Sequence, residues 1–182
     1  MEQKSDMRIG LVRHFKVNLK RKSFMTSEEY NQYSAEYDIA EVLENEIVID
    51  KEWDKCYCSS LPRAAYTAKT IYHGPIIKTD KLREISAAAW IKTNIPLPYQ
   101  LWSLLNRVAW IRNSISQPEG RRASLKRINE IVDEILKQED KNILIVSHAG
   151  TMYEIRKILI KKGFEGEWFL KPKNGRLYIL KR

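Results

Sequence analysis

The sequence has little cysteine, no long apolar run and no linker, and each absence removes a class of protein. Only two of its 182 residues are cysteine, Cys56 and Cys58, in the stretch KCYC. Residues two apart on a strand share a face and suit a mutual disulfide poorly. Two thiols on one side could begin a metal site, but nothing nearby supplies the other ligands. The expectation is a pair of half-buried strand residues, with no metal site, in a reducing compartment. No apolar stretch approaches the roughly 20 residues that span a bilayer. Residues 1–6 are polar and lack the apolar core of a secretory signal. These absences predict a cytoplasmic protein with no membrane partner. No repeat, low-complexity segment or Ser/Gly/Pro linker divides the chain. Residues 1–182 are therefore expected to form one domain, long enough to bury a core unaided.

Positive charge is present in excess, at a formal +9. It is unevenly spread: residues 1–22 carry seven cations against two acids, and residues 23–54 carry ten acids against Lys51 alone. Such a balance suits nucleic acid or a pocket that attracts anionic substrates. The chain shows no nucleic-acid-binding motif, so nucleic acid is not the expected partner.

The apolar pattern alternates between strand and helix. MRIGLV reads as a buried strand ending at Arg13 and His14. Thr26 and Glu29 have capping-box spacing, which predicts a helix from there to Tyr37 or beyond. DKCYCSS is a second strand, and Pro62 suits the first turn of the helix after it. PIIKT reads as a third strand, and residues 86–98 as loop. A helix is expected over 99–114. A clearer one covers 121–137, with Leu125, Ile128, Ile131, Val132 and Ile135 on one face. NILIVS is a continuous apolar strand ending at His148, followed by a helix over 151–162 and Gly163 just past its end. RLYILK is the last strand. Residues 41–54 read poorly, with a short apolar piece, IVI. Alternating strands and helices predict an α/β domain with a mostly parallel sheet.

Three reactive clusters then occupy equivalent places. Arg13 and His14 follow one strand, Arg63 begins a helix after another, and His148 lies between a third strand and its helix. In open parallel sheets ligands bind at the carboxyl ends of strands, a rule that gathers these four side chains at one edge. Singly, each has a structural explanation. Together, two arginines and two histidines with helix N-termini behind them suit a multiply charged oxyanion.

LVRHF, SSLPRAAYTA, LREISAAAW and VSHAGTM, in that order, resemble the signatures of the histidine phosphatase superfamily, branch 1, of phosphoglycerate-mutase-like fold. The resemblance runs from about Met7 to the last strand. It implies a three-layer α/β/α domain and a phosphatase that hydrolyses a small phosphorylated metabolite through a phosphohistidine, a chemistry that requires no cofactor and no metal. His14 resembles the nucleophile, Arg13, Arg63 and His148 the phosphate-binding groups, and Glu84 the general acid. Without the other motifs, Glu84 would read as an ion pair with Arg83 or Lys81. Phosphoglycerate-mutase-type phosphotransfer and a non-catalytic phosphoester-binding module remain alternatives.

The sequence also departs from the family pattern. Phe15 stands where the first motif usually has glycine, and it is expected either in the core or walling the pocket. Lys16, Val17 and a basic run replace the usual polar residues, and Asn18 lies near the usual Asn spacing. Phe15, Lys16 and Asn18 are therefore substrate-binding candidates. Arg121 stands at the position of an expected Glu, and Ile91 and Lys92 replace an acid and a glycine after Trp90. If Lys16, Lys92 and Arg121 faced the cleft, they would favour a strongly anionic substrate.

Overall fold

The computed structural model describes residues 7–45, 47, 49 and 53–182. Residues 1–6, which bear on the secretory-signal reading, and Val48 of IVI lie outside the described residues. In chain order the first elements are β1 (Arg8–Arg13), β2 (Lys16–Val17), β3 (Phe24–Met25), α1 (Ser27–Ile39), β4 (Val42–Leu43), β5 (Lys55–Ser59), α2 (Pro62–Ile71) and β6 (Ile76–Thr79). After a single 3₁₀ turn, Asp80–Leu82, come β7 (Leu97–Pro98), α3 (Tyr99–Ile111), α4 (Arg121–Leu136), β8 (Asn142–Ser147), α5 (Ala149–Lys161), β9 (Glu165–Gly166) and β10 (Leu177–Lys181).

Six strands make the central sheet, in the order β6-β5-β8-β1-β10-β9. The first four run parallel, and β10 and β9 add an antiparallel edge. Internal parallel strands are covered on both faces, which is why RIGLVR and NILIVS are almost continuously apolar. Ile9, Leu11, Tyr57, Ile143 and Ile145 meet Ile128, Ile131, Val132 and Ile135 of α4, with Met152, Ile155 and Leu159 of α5. The alternate residues Val12, Cys56, Cys58, Leu144 and Val146 meet Ala64 and Ala68 of α2 and the Trp53 ring. The result is the three-layer α/β/α architecture expected of the chain. Trp53 crosses the sheet at Gly10, where a Cβ would come within 2.4 Å of its ring. Only glycine fits beneath it.

Local signals act as their chemistry predicts. Thr26 Oγ1 accepts from the Glu29 N–H at 3.2 Å, and Glu29 Oε2 accepts from the Thr26 N–H at 2.9 Å, closing the capping box of α1. Pro62 opens α2. Gly163, at φ +86°, ends α5. Two readings need correction. Cys56 and Cys58 are fully buried rather than half-buried, because α2 covers their face; both thiols are free, and burial pushes both up. Leu125 is only half-buried, and Ser124 turns inward in its place to accept from Trp110 Nε1 at 2.9 Å. The short ladders β2–β4 and β3–β7 carry no sequence signature, since two residues are too few to show a period. The β3–β7 ladder lies beside a third apolar cluster, Met25, Tyr30 and Trp102, which joins α1 to α3.

Candidate active site

The strand register decides which residues meet. Arg13 is opposite Ser147, Cys58 is opposite Val146, and Ser59 is opposite Thr79. The parallel strands therefore end at one level, and the residues just beyond them share one edge. The His14 N–H donates to the Ser147 carbonyl at 3.0 Å, extending the β1–β8 ladder. That bond brings the His14 and His148 rings to a centroid separation of 5.1 Å. A cavity of about 440 Å³ opens at this edge, lined by Arg13, His14 and Arg63 and by Glu84 on its other side.

His14 is nearly fully buried, and its Nδ1 lies 2.6 Å from the Phe15 carbonyl. A carbonyl only accepts, so Nδ1 carries the proton and the lone pair of a neutral ring is on Nε2. Burial, then Arg63, then Arg13 lower the pKa of His14 to about 3, against a smaller opposing effect of the Phe15 carbonyl. The imidazole is thus neutral through the physiological range. The backbone around it is held twice: the Phe15 N–H donates to Thr67 Oγ1 at 2.9 Å, and Asn174 Nδ2 donates to the His14 carbonyl at 2.7 Å.

Arg63, only 2% exposed, emerges from the first turn of α2. One end of its guanidinium is anchored by Asp38: Nη1 donates to Oδ1 at 2.9 Å and to the backbone carbonyl at 3.3 Å. Tyr37 lies beneath the cation, its ring centroid 5.0 Å away. Arg13 Nη1 donates to the Pro172 carbonyl at 3.0 Å. In both arginines Nε is buried and makes no hydrogen bond within the protein. His148 is fully buried, with Nε2 2.8 Å from Ser59 Oγ. Ser59 Oγ also accepts from the Leu61 N–H at 3.2 Å, so its own proton is available to His148 Nε2. In the tautomer that accepts this proton at Nε2, the ring N–H is on Nδ1, which has no partner within the protein. Burial first, and the cation of Arg63 next, hold His148 neutral by lowering its pKa well below the ordinary value. Arg13 Nε, Arg63 Nε and His148 Nδ1 are thus buried without a partner within the protein, on three residues that neighbour His14. Buried polar groups are rarely left so.

Glu84 is not the ion pair that its neighbours suggested. Among the described residues, Arg83 approaches Asp80 at 4.0 Å and Lys81 pairs with Glu134 at 3.1 Å. The Glu84 carboxylate instead meets the N-terminus of α5. Oε1 accepts from the N–H groups of Ile85 at 2.9 Å and Thr151 at 3.1 Å, and Oε2 from Gly150 at 3.2 Å. Helix N-termini favour such an acceptor. Since α5 begins directly after His148, this contact brings Glu84 to the edge where the histidines lie.

Phe15, Lys16 and Asn18 do not join the site. Phe15 is fully buried, its N–H and carbonyl serving the site while its ring packs against Gly175 and not the cavity. Asn113 is the one non-glycine with positive φ among the described residues, so Phe15 occupies ordinary backbone space without strain. Lys16 belongs to the β2–β4 ladder and is exposed, as is Asn18, whose N–H donates to the Glu41 carbonyl. Lys92 and Arg121 are exposed and line no part of this cavity. The outer cations are instead Arg21, Arg83 and Lys171. Arg21 stacks on Tyr99 at 4.1 Å. No local pattern singles out Arg21, Lys171 or Asn174, which the fold imports from distant segments, whereas Arg83 adjoins Glu84 in the chain.

Comparison with known proteins gives a consistent result. The sequence model of the Histidine phosphatase superfamily (branch 1) matches residues 39–182. The match begins after LVRHF, so the His14 motif lies outside it. A relative from Hydrogenobacter thermophilus, named "Putative phosphoserine phosphatase 2", is 26% identical over 139 residues, 70% of this chain. The match spans 66% of that relative, a little under two thirds of its length. The α-ribazole phosphatase of Shigella flexneri superposes with a TM-score of 0.58 at 22% identity, covering 95% of this chain and 89% of its own. A mycobacterial glucosyl-3-phosphoglycerate phosphatase gives 0.52 at 17% identity, covering 86% and 80%. At these identities the structural likeness speaks for the fold alone.

Proposed function

The chain belongs to the histidine phosphatase superfamily, and from that premise we propose that it hydrolyses a small anionic phosphomonoester through a phosphohistidine on His14. The observation that carries this reading is the set of three unpaired buried donors, Arg13 Nε, Arg63 Nε and His148 Nδ1, on residues that neighbour a histidine whose Nε2 is free. The three would bind the equatorial phosphoryl oxygens, where charge is held through the transition state. His14 Nε2 attacks phosphorus in line with the departing ester oxygen, and the P–O bond breaks as the N–P bond forms. A protonated Glu84 gives its proton to that oxygen, releasing an alcohol. Oε2, engaged only by Gly150, is the oxygen with room to carry it. Glu84 then takes a proton from water, whose oxygen attacks the phosphohistidine, and inorganic phosphate leaves. His14, buried and neutral, needs no deprotonation before attack.

The decisive test is chemical. Quenching without acid, after mixing with a ³²P-labelled phosphomonoester, should trap acid-labile, base-stable phosphate on His14. The His14→Ala protein should trap none and release no phosphate. Unchanged phosphate release by His14→Ala would overturn the mechanism. Transfer of the label to a second alcohol in place of water would mark a mutase.

A further inference from the structure

A second cavity, of about 520 Å³, adjoins the first. The two share a wall made by Glu84, Ile85, Ser86, Ala87, Tyr99 and Lys171. Glu84, the proposed proton donor, thus borders both. A leaving group whose oxygen meets Glu84 has this second space ahead of it.

Its lining is aromatic, with Tyr30, Tyr99, Trp110 and Tyr153 among the rings, and Asn106 and Arg107 between them. Arg107 does not offer a free charge. Its guanidinium lies 4.2 Å from the Trp110 ring centroid and 3.6 Å from Oε1 of the buried Glu154, a carboxylate it shares with Lys157; the other cation of the lining, Lys171, is on the wall common to both cavities. Asn106 is the exception. It is only 3% exposed, and its Oδ1 accepts from the Trp90 N–H at 3.1 Å. That bond identifies the other end of the amide as NH₂. Nδ2 is buried and faces the Tyr30 hydroxyl, with which it interacts without completing a well-formed hydrogen bond. A buried donor left without a good acceptor is costly, and a ligand acceptor is the simplest group to relieve it.

We propose that this cavity is the leaving-group subsite, that it takes a flat, uncharged ring with a hydrogen-bond acceptor on its edge, and that Asn106 reads that edge. Rings stack well between aromatic side chains, and the compensated Arg107 does not call for a second anion. The substrate class is then the phosphomonoester of a ring-bearing alcohol, of which a nucleoside 5′-monophosphate is a simple member. This rests on the His14 pocket being the phosphate site.

Adenosine 5′-monophosphate and ribose 5-phosphate share phosphate and sugar and differ only by the ring. Isothermal titration of the His14→Ala protein, which cannot form the phosphoenzyme, compares their affinities directly. The nucleotide should bind about tenfold tighter, as expected for one hydrogen bond plus stacking. Asn106→Leu, introduced into the same protein, should pull the ratio of the two affinities towards one. Because Asn106 also holds Trp90, Tyr153→Ala provides a second variant that leaves that bond alone and should lower the ratio too. Equal affinities before either substitution, or an unchanged ratio after both, would overturn the subsite. Failure of the native protein to release phosphate from any ester would sink the phosphatase reading instead, and the affinity ratio would still decide the subsite.

Discussion

The Thr67 hydroxyl accepts from the Phe15 N–H at 2.9 Å while donating to the Arg63 carbonyl at 2.7 Å. One buried oxygen thereby ties the segment that orients His14 to the helix that carries Arg63. Thr67→Val keeps the shape but leaves the Phe15 N–H without an acceptor, a loss of about 1–3 kcal/mol. Urea denaturation should show that loss, and turnover should fall as His14 loosens against Arg63. Thr67→Ser should restore both. A valine variant as stable and active as the native protein would show that the link does not matter.

Protonation of the two site histidines is the second expectation. The chain has three histidines, so their ring signals are readily assigned by NMR. His14, lowered to about 3, and His148, lowered well below its ordinary value, should both stay neutral at pH 5.5. An unfolded histidine titrates near 6.5. Below that value the unfolded chain binds protons that the native site refuses. The stability contributed by His14 is therefore complete above about pH 6.5 and declines as pH falls from there towards 3, by up to about 1.4 kcal/mol per unit. Arg63→Ala removes the second-largest cause of the His14 shift and should move its titration upwards. A native His14 that titrates near 6.5 would contradict the buried, cation-flanked geometry.

Glu84 allows a test that separates proton donation from scaffold support. The amide oxygen of Glu84→Gln can still accept from N–H groups at the start of α5, so the melting temperature should change little. Hydrolysis of alkyl phosphates should slow by about 10²–10⁴. For a nitrophenyl ester, whose leaving group departs without a proton, the loss should be much smaller. Equal losses on both esters would remove Glu84 as the proton donor and leave it a cap on α5.

The arginine pair should control affinity for the phosphoryl group. Arg63→Lys keeps the charge but loses Nε, the donor that the protein leaves unpaired. A charge-assisted bond of about 1.5–3 kcal/mol corresponds to roughly ten- to hundredfold weaker binding. Competitive inhibition by vanadate is the measurement, with Arg13→Ala as the companion variant. Vanadate bound equally by native and variant proteins would place the anion elsewhere.

Much of this fold is written in short stretches of sequence. RIGLVR and NILIVS are apolar throughout because both faces of an internal strand are buried. Thr26 and Glu29, Pro62 and Gly163 mark helix ends through local bonds and dihedral preferences that need no partner at long range. The positions of Arg13, His14, Arg63 and His148 were legible for the same reason: each directly follows a strand or opens a helix, and parallel strands end on one edge. Glu84 was legible only through resemblance. Its partners, the N–H groups of Gly150 and Thr151, lie more than 60 residues away. Local charge suggests Arg83 or Lys81, but these approach Asp80 and Glu134 instead. Only the tertiary structure decided that Phe15 packs against Gly175, that Lys16 and Asn18 face solvent, and that Arg21, Lys171 and Asn174 come to the site. Such pairings depend on strand order and on which loop folds over which edge, and no periodicity within one segment encodes them. The orientation of Asn106 belongs to the same class: a mid-helix asparagine reads as neutral in sequence, and the Trp90 N–H, 16 residues away, fixes its Oδ1 and so which end of the amide is left without a well-formed bond.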